Sequence, residues 1–528
     1  YERIARNGKT IRIIKLDSNC VFILQSIPFA APPIGELRWK LPQDPNKWDG
    51  ILEGTKYSAA CLSNHTDTQK MDEDCLYLNV YVSAECRGEC PIILMFHGGA
   101  MNFNSAVYYN DDHLIENFAS KGIMLVVPAF RLGFMGIFNL GDDFIPTNLG
   151  LHDALHALQF VSKEAVNFGG NKDALTLMGH SYGGTIAGVL AYSSLRREKV
   201  NISRLIMMSP SFQFTSLQTV QTLSFRLVEK SGCSGRSSSL ILSCLKSKDA
   251  AELLRYQSEI QKEDESISWD AGFMFILMSS PLLPFSSFTQ MFDLPPGVDV
   301  VIGSTAREMD VPVKLQTHPG DLVNAANLIE LEKIHEILVE NKNGTLHTPA
   351  IELIFLTVHK VVRSVIHGGN KAFVYSYQQP SSHNYHSDDF SFIAGVSLFE
   401  QDNNEKDIAK FYPELFSNFT LIGIPSPDWM SMNESGSYFS IVVDANSKRT
   451  DPLQKCHDSR PKMLDGYERE SINYWENEAP KIDIFEIGNS FEDIIKSKSI
   501  TNVELSEKFE SCIDRQATNE YRGIYASN

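Results

Sequence analysis

One serine in this chain lies between glycines placed two residues to either side, in Gly179-His180-Ser181-Tyr182-Gly183. An apolar run, residues 174–178, precedes this motif, and a segment of small residues, 184–190, follows it. An apolar run that ends in glycine predicts a buried strand, and the segment after it predicts a closely packed helix. On so sharp a strand-to-helix turn, the hydroxyl is raised clear of the backbone beside the helix N-terminus. The motif also arises by chance, but this setting favours a nucleophilic serine.

A serine hydroxyl is a poor nucleophile at neutral pH, so it needs a neighbouring base and a carboxylate that orients the base. Where the serine occupies a turn of this kind, the acid and then the histidine follow it in the chain. Glu308 comes just after a β-branched run, residues 298–302, so a strand there would place it at the rim that holds the serine. His383 and His386 both follow the next strand-like run, residues 372–377. Either could supply the base, although a histidine on a polar loop is usually a surface residue.

Other apolar runs predict the elements that must position these groups. Residues 91–96, 123–127 and 204–208 predict buried strands, and residues 149–168 carry leucine and alanine at helical spacing. Strands that alternate with helices are typical of a parallel sheet with both faces covered. Right-handed connections bring the carboxyl ends of the strands to one rim, so His97-Gly98-Gly99-Ala100 should lie beside the serine. The sequence thus predicts an α/β fold with a mostly parallel central sheet.

The N-terminal part of the chain has short β-like runs at residues 10–14 and 20–24 and the pattern of a half-buried strand at residues 73–81. Residues 26–33 contain three prolines, so we expect neither a helix nor a central strand there. Beyond residue 215 the pattern is mainly helical, and no internal repeat or low-complexity linker divides the chain. We therefore expect a single domain over residues 1–528, with a charged tail after about residue 480.

The overall charge of the chain limits its partners. A net charge of −18 argues against binding to nucleic acid and to anionic membrane surfaces, because both would repel it. No apolar run approaches the roughly 20 residues that are needed to span a bilayer. Nothing in the sequence specifies an oligomeric state.

Cysteines and glycosylation sequons bear on the compartment. The chain has nine cysteines, several of them in pairs of short spacing, and an odd count leaves at least one without a partner within a monomer. The sequons begin at five asparagines: Asn64, Asn201, Asn343, Asn418 and Asn433. Together these features favour a secreted protein or one of the secretory-pathway lumen, while a cytoplasmic location stays open.

Several motifs together resemble those of the type-B carboxylesterase family, which includes the cholinesterases. Residues 168–183 resemble the serine signature of that family, and Glu73 to Tyr81 (EDCLYLNVY) resembles its second signature. Ser26 to Arg38 is similar to the proline-rich segment near the family's N-terminus, and residues 148–153 are similar to the entry of one of its helices. The resemblance covers most of the chain and implies the α/β-hydrolase fold.

The resemblance also implies roles for particular residues. It assigns the catalytic triad to Ser181, Glu308 and His386. His386 is favoured over His383 because residues 386–392 resemble the histidine motif of the family. It assigns backbone amides to the oxyanion hole: Gly99, Ala100 and Tyr182. It suggests two disulfides: Cys61–Cys75 and Cys233–Cys244. Such a reaction needs neither a metal nor an organic cofactor.

Departures from the family pattern indicate where the specificity differs. Tyr182 stands where a small residue is usual, Ala100 where glycine is usual, and Met309 follows the acid where glycine is usual. Tyr182 and Ala100 keep their backbone N–H groups, but their added bulk should narrow the side of the site that takes the acyl group of the ester. The loop from Cys61 to Cys75 contains no tryptophan, so the cation–π contact that binds a quaternary ammonium is missing and choline esters are not expected.

A few other residues remain open between two interpretations. Cys86 and Cys90 either close a small hairpin or stay as free thiols. His180, beside the serine, is interpreted as a packed histidine rather than a catalytic one. Arg38 and Glu73 resemble an ion pair of the family near the site, although an ordinary surface pair has little energetic value.

These observations lead to one functional prediction and one alternative. We expect a serine carboxylic ester hydrolase that acts on a small-molecule ester through an acyl-enzyme intermediate. The alternative is a non-catalytic, cholinesterase-like adhesion or binding protein, since the family includes relatives that have lost the serine or the histidine. The complete set of three residues favours the enzyme.

Overall fold

The computed structural model of the chain describes much of the sequence. The described ranges are 2–5, 9–16, 21–63, 70–235, 237–263, 273–279, 281–309, 349–379, 383–396, 399–443 and 461–478. Several features of the sequence lie outside them: the charged tail after about residue 480, Cys20, Cys456, Cys512, Asn64 and Asn343.

Thirteen strands of the described residues form one large sheet, and two pairs of short strands lie apart from it. The strands are β1 (Glu2–Ala5), β2 (Lys9–Leu16), β3 (Val21–Pro28), β4 (Ile51–Gly54), β5 (Ala60–Cys61), β6 (Met71–Asp72), β7 (Tyr77–Ser83), β8 (Cys90–Phe96), β9 (Met124–Pro128), β10 (Gly170–His180), β11 (Arg204–Met208), β12 (Phe214–Thr215), β13 (Ile276–Leu277), β14 (Asp299–Thr305), β15 (Ala372–Tyr377), β16 (Tyr438–Ile441) and β17 (Lys462–Leu464). The order across the large sheet is β1-β2-β3-β7-β9-β8-β10-β11-β14-β15-β16-β17, and β4 pairs with β2.

Helices connect these strands. They are α1 (Asp111–Asn117), α2 (Gly133–Ile137), α3 (Leu149–Phe168), α4 (Tyr182–Tyr192), α5 (Ser194–Arg197), α6 (Leu217–Lys230), α7 (Ser238–Lys246), α8 (Ala250–Glu263), α9 (Phe288–Phe292), α10 (Pro349–His367), α11 (Asp388–Ala394), α12 (Asn403–Ile422) and α13 (Arg469–Asn473). Two 3₁₀ turns, Gly35–Leu37 and Ala119–Lys121, and a π-helix, Tyr474–Glu478, complete the set. Among the described residues, no helix combines the length and the apolar character that crossing a bilayer requires.

The central part of the sheet is parallel, as the alternation of strands and helices predicts. From β9 through β8, β10, β11, β14 and β15 to β16, every neighbouring pair of strands runs in the same direction. The predicted α/β class with a mostly parallel central sheet is thereby confirmed. The strand at residues 372–377 has the bounds that its apolar run predicts, whereas β10 begins at Gly170, four residues before the apolar run at 174–178.

The expectation of no central strand at residues 26–33 is wrong for its first three residues. β3 continues through Ser26, Ile27 and Pro28 and pairs there with β7. The register shifts between Leu24 and Ile27, and Ser26 has a φ of 59°, which identifies a β-bulge. Proline is tolerated because β2 pairs only with the first half of β3, so the missing N–H at Pro28 breaks no bond to that neighbour.

Close approach of helix α4 to the sheet depends on glycine. Every residue of α4 is buried. A Cβ added at Gly183 would lie 2.1 Å from the carbonyl oxygen of Phe96, and one added at Gly179 would lie 2.1 Å from the carbonyl carbon of Gly183. The two glycines therefore let the start of α4 lie directly against β8 and β10, and this contact fixes the turn between β10 and α4.

Three disulfides are formed among the described residues. Cys61–Cys75 and Cys233–Cys244 are both formed, as the family resemblance implies. Cys86 and Cys90, for which the sequence left two possibilities, also form a disulfide.

Candidate active site

Ser181 occupies the turn between the end of β10 and the start of α4, in the strand–turn–helix setting that its motif predicts. Its backbone has φ 55° and ψ −129°, a conformation that residues with a side chain rarely adopt. The turn is stabilised because the Ser181 N–H donates to the carbonyl of Met208 on the neighbouring strand, at 2.8 Å. The strained backbone conformation is therefore held by the parallel sheet.

The three side chains assigned to the triad lie together. His386 Nε2 lies 2.8 Å from Ser181 Oγ, and His386 Nδ1 lies 2.5 Å from Glu308 Oε2. The other candidate base, His383, instead pairs through Nδ1 with Glu405, at 2.8 Å. The structure thus brings together Ser181, Glu308 and His386, the three residues that the resemblance assigns to the triad.

Glu308 is oriented by hydrogen bonds on both sides of its carboxylate. Oε2 faces His386, while Oε1 accepts the backbone N–H of Thr305 at 2.7 Å. The Thr305 hydroxyl accepts the N–H of Glu308 in return, at 3.0 Å. This reciprocal pair has the hydrogen-bond pattern of a capping box, formed here in the turn after β14 rather than at the start of a helix. The pattern Thr-x-x-Glu at residues 305–308 is a sequence signal for it that was not used above. The backbone carbonyl of Glu308 also accepts the N–H of His386, at 3.1 Å, which joins the two loops.

The environment of His386 raises the pKa of its imidazole. Burial by itself lowers that pKa, but the charge of Glu308 and its hydrogen bond outweigh burial, and Asp389 and Asp388 act in the same direction. Since Glu308 is 1% exposed, water screens its charge little. His386 is therefore a stronger base than an ordinary histidine, and Glu308 holds the Nδ1–H tautomer that leaves Nε2 free to accept a proton.

The loop after β8 lies against the serine. A Cβ added at Gly98 would come within 3.1 Å of Ser181 Cβ, so the backbone passes directly beside the hydroxyl. Gly99 has φ +100°, and a Cβ there would lie 2.2 Å from the carbonyl oxygen of Phe103, so only glycine fits. Ala100 also has a positive φ, 53°. Among the described residues, the amide N–H groups of Gly99, Ala100 and Tyr182 donate to no other protein group, and they are available to a ligand.

Two further histidines near the serine are neutral. Burial lowers the pKa of His97 to about 4, and its ring stacks on Phe130 at 4.2 Å. Burial, and then the neighbouring His386, lower the pKa of His180 well below its ordinary range. The His180 ring stacks on Phe390 at 4.7 Å. This agrees with the interpretation of His180 as a packed side chain rather than as a second base.

A buried carboxylic acid behind the triad has no counterpart in the sequence analysis. Asp389 is fully buried in α11, and its Oδ2 accepts hydrogen bonds from Tyr412 at 2.7 Å and Tyr375 at 3.2 Å. Burial raises the pKa of Asp389 to about 7. No sequence signal indicates it, because its burial depends on α12 and β15, which pack around it from distant parts of the chain.

The ion pair suggested by the resemblance is also formed, and it is largely buried. Arg38 Nη2 lies 2.5 Å from Glu73 Oε2, and the two side chains are 5% and 11% exposed. Arg38 Nη1 also donates to the carbonyl groups of Leu245 and Lys248, both at 2.9 Å. It therefore ties the N-terminal segment to the end of α7, rather than being an ordinary surface pair.

Comparison with known families identifies one match. A model of the carboxylesterase family matches residues 14–348, more than half of the chain. The matched range includes Ser181 and Glu308 and ends before His386.

Individual relatives are esterases or hydrolases by name. The chain is 26% identical to carboxylesterase 1C of Mus musculus over 482 residues, which are 80% of this chain and 85% of that protein. It is 27% identical to pyrethroid hydrolase Ces2a of Mus musculus over 487 residues, 81% of this chain and 85% of that protein. It is 31% identical to cocaine esterase of Homo sapiens over 247 residues, which are 43% of each chain.

Proposed function

The chain belongs to the carboxylesterase family, and we propose that it hydrolyses small-molecule carboxylic esters through an acyl-enzyme formed on Ser181. Family membership supports carboxylic ester hydrolysis as the activity. The acyl-enzyme mechanism rests on one observation, the hydrogen-bonded series Ser181 Oγ–His386 Nε2 and His386 Nδ1–Glu308 Oε2.

In the first half of the reaction, Ser181 Oγ attacks the carbonyl carbon of the ester while His386 Nε2 takes its proton. The amides of Gly99, Ala100 and Tyr182 stabilise the negative charge that develops on the carbonyl oxygen. The imidazolium is stabilised by Glu308. His386 then gives the proton to the departing alcohol, and the acyl group stays on the serine.

The second half repeats these steps with water. His386 accepts a proton from a water molecule as the water oxygen attacks the acyl-enzyme, and the same amides stabilise the second oxyanion. The proton returns to Ser181 Oγ when the acyl bond breaks and the carboxylic acid leaves. Atoms balance with one ester and one water consumed, and no oxidant or reductant takes part.

The rival proposal is a cholinesterase-like protein that binds a partner without catalysis. Such a protein needs the fold but not the hydrogen bonds between Ser181, His386 and Glu308, nor amides left available beside the serine. Covalent labelling distinguishes the two, because a fluorophosphonate reacts only with a serine whose base and oxyanion donors are in place.

The experiment compares labelling and hydrolysis of p-nitrophenyl acetate in wild type, Ser181→Ala and Ser209→Ala. Ser209 directly follows the neighbouring strand β11, is buried and has a positive φ of 46°, so it resembles Ser181 in its strained backbone. We expect wild type and Ser209→Ala to be labelled and active, and Ser181→Ala to lose labelling and at least about 10³-fold in kcat. Full activity in Ser181→Ala would refute the serine mechanism, and an unlabelled, inactive wild type would favour the binding protein.

We also propose that the protein is secreted or lumenal and that residues 1–528 form a single catalytic domain. Three disulfides support an oxidising compartment. One continuous sheet, which runs from strands near the N-terminus to β17, supports the single domain. Disulfide mapping of the protein secreted from cultured cells tests the first proposal: free thiols at all six of these cysteines would contradict it.

A further inference from the structure

A short segment of the chain joins the two sides of the oxyanion site. The N–H of Phe275 donates to the carbonyl of Ala100, at 3.0 Å, and the N–H of Ile276 donates to the hydroxyl of Tyr182, at 2.7 Å. Ala100 belongs to the loop after β8, and Tyr182 is the first residue of α4. Two adjacent amides therefore connect the loop that carries Gly99 and Ala100 to the helix that carries the third oxyanion amide.

This segment is itself held by other elements. Ile276–Leu277 forms the short parallel strand β13, which pairs with β12. The side chain of Asn148 makes two hydrogen bonds to the backbone of Leu277: its Oδ1 accepts the Leu277 N–H at 2.7 Å, and its Nδ2 donates to the Leu277 carbonyl at 2.8 Å. The segment is therefore fixed in place, so it can hold Ala100 and Tyr182 at a constant separation.

The hydroxyl of Tyr182 is at the centre of this connection. It accepts from Ile276 and donates to the backbone carbonyl of Gln213, at 2.9 Å, and the side chain is 2% exposed. Burial raises the pKa of the Tyr182 phenol well above its ordinary range, so the group stays protonated and keeps donating. Ile276 and Gln213 are both buried, so loss of the hydroxyl would remove a hydrogen bond from each of these two backbone groups where solvent has little access.

Backbone strain gives such a connection a role. Ala100, Ser181 and Phe275 all have a φ between 53° and 63°, in the left-handed region that favours glycine. Residues in that region cost free energy and persist only where surrounding contacts hold them. The sheet holds the backbone of Ser181, and the bonds to Phe275 and Ile276 add a second restraint, on Ala100 and on the side chain of Tyr182. Loss of that restraint should let the amides of the loop and of the start of α4 shift.

We propose that Tyr182 is a positioning residue whose hydroxyl, through Phe275 and Ile276, holds the amides of the oxyanion hole at their working separation. The inference rests on the proposed function, since it concerns the same site. Donors that are held in advance stabilise the transition state far more than the bound ester, in which little charge has developed. The role of the hydroxyl should therefore be seen in kcat and not in KM.

The test is Tyr182→Phe, which removes only the hydroxyl and keeps the ring and the amide. We expect kcat for p-nitrophenyl acetate to fall about 10- to 100-fold, as for a donor displaced by a fraction of an ångström, with KM changed less than about twofold. The affinity for a trifluoromethyl ketone, which forms a tetrahedral oxyanion on the serine, should fall by the same factor as kcat/KM. Tyr192→Phe, at the other end of the same helix, is the matched control and should change neither quantity.

Rates are divided by the number of active sites that a fluorophosphonate titrates, so that misfolded protein does not mimic the effect. If Tyr182→Phe keeps the kcat and the ketone affinity of wild type, the inference is overturned, even where the variant melts at a lower temperature. A wild type that is neither labelled nor active defeats the proposed function instead. The two failures are therefore distinguishable.

Discussion

His386 Nε2 lies 2.8 Å from Ser181 Oγ, although 205 residues separate the two along the chain. The sheet produces this proximity. Ser181 follows β10 and His386 follows β15, and β11 and β14 lie between them in parallel register. Because all four strands end at the same rim, loops from distant parts of the sequence meet there, and the position of the base is a property of the whole sheet.

Removal of the charge of Glu308 should change the pH dependence of catalysis. His386 must be neutral to accept the serine proton, and Glu308 raises its pKa, so kcat/KM of wild type should rise with pH through a value above that of an ordinary histidine. In Glu308→Gln the pKa of His386 falls, so the acid limb of the pH profile of kcat/KM should move to lower pH. The maximal kcat should fall about 10³- to 10⁴-fold, because the tautomer is no longer held.

Glu405→Gln is the control for that variant, since Glu405 pairs with the non-triad histidine His383 in a similar way. Its pH profile and kcat for p-nitrophenyl acetate should match those of wild type. A Glu308→Gln enzyme with the acid limb and rate of wild type would show that Glu308 is not the acid.

The features of this site that the sequence predicts are those with a local cause. The turn at Ser181 follows from a strand, a glycine motif and a helix that lie within residues 170–192, and the bounds of β15 follow from one apolar run. The choice between His383 and His386 has no local cause, because both follow the same strand, and only the family resemblance favoured His386. The bulge at Ser26 was missed because it depends on pairing with β7.

Contacts between distant segments are the part that no local pattern predicts. The hydroxyl of Tyr182 and the amide of Ile276 are 94 residues apart, and Asp389 is buried by Tyr412 and Tyr375 from other elements. The sequence indicated only that Tyr182 is larger than usual at its position. The contacts that this larger side chain makes with the backbone of distant segments become visible only in the folded structure.

Gly183→Ala should separate the start of α4 from the sheet. A Cβ at this position would lie 2.1 Å from the carbonyl oxygen of Phe96 and 2.7 Å from that of His97, so backbone must move. We expect a loss of about 2–3 kcal/mol in the free energy of unfolding, measured by urea denaturation. The kcat should also fall by about 100-fold, because the amide of Tyr182 moves with the helix.

Gly235→Ala is the matched substitution, because a Cβ there meets only ordinary contacts at 3.4 Å or more. It should leave both the stability and kcat close to those of wild type. A stable and fully active Gly183→Ala would mean that the close approach of α4 is not needed for the site.

Asp389→Asn should change how stability depends on pH. The pKa of Asp389 is raised to about 7 in the folded protein, so between about pH 4 and 7 the folded state holds a proton that the unfolded state has lost. This contribution therefore favours folding at low pH and is lost as the pH rises toward 7. Asparagine does not titrate, so the Asp389→Asn variant lacks this pH dependence. The melting temperature of the variant minus that of wild type should therefore increase from pH 5 to pH 8, by an amount that corresponds to a few kcal/mol in the free energy of unfolding.

Asp428→Asn, on the exposed surface, serves as the control for Asp389→Asn and should follow wild type at both pH values. If the melting temperatures of Asp389→Asn and wild type differ equally at pH 5 and pH 8, the proton on the buried carboxyl group does not contribute.

Glycosylation should differ between two of the sequons. Asn433 is exposed, and its Oδ1 accepts from both the amide and the hydroxyl of Ser435, so the sequon lies on an accessible turn. Asn418 lies inside α12, its Nδ2 donates to the carbonyl of Pro425, and Thr420 is fully buried. In protein secreted from eukaryotic cells, we expect a glycan at Asn433 and none at Asn418. Peptide mapping after enzymatic deglycosylation in ¹⁸O water measures both, and a glycan at Asn418 alone would contradict the prediction.

The size of the acyl group that the enzyme accepts should be limited by two rings. Tyr182 cannot swing away, because its hydroxyl is bound by Ile276 and Gln213, and its ring lies 5.4 Å from that of Phe275. The amide of Phe275 bonds to Ala100 in the oxyanion loop, so both rings belong to segments that adjoin the proposed oxyanion site. The sequence comparison with the family pattern predicts that bulk at residue 182 narrows the acyl-binding side of the site. We expect kcat/KM for p-nitrophenyl esters to fall at least about tenfold between acetate and hexanoate.

Phe275→Ala removes one of these rings while its backbone amide remains, so it should raise kcat/KM for the hexanoate relative to the acetate. Phe225→Ala removes a ring from the exposed face of α6 and should leave the ratio unchanged. A wild type that hydrolyses the hexanoate faster than the acetate would show that the acyl chain leaves the serine by another direction. In that case the hydroxyl of Tyr182 would position the oxyanion amides while its ring does not set the specificity.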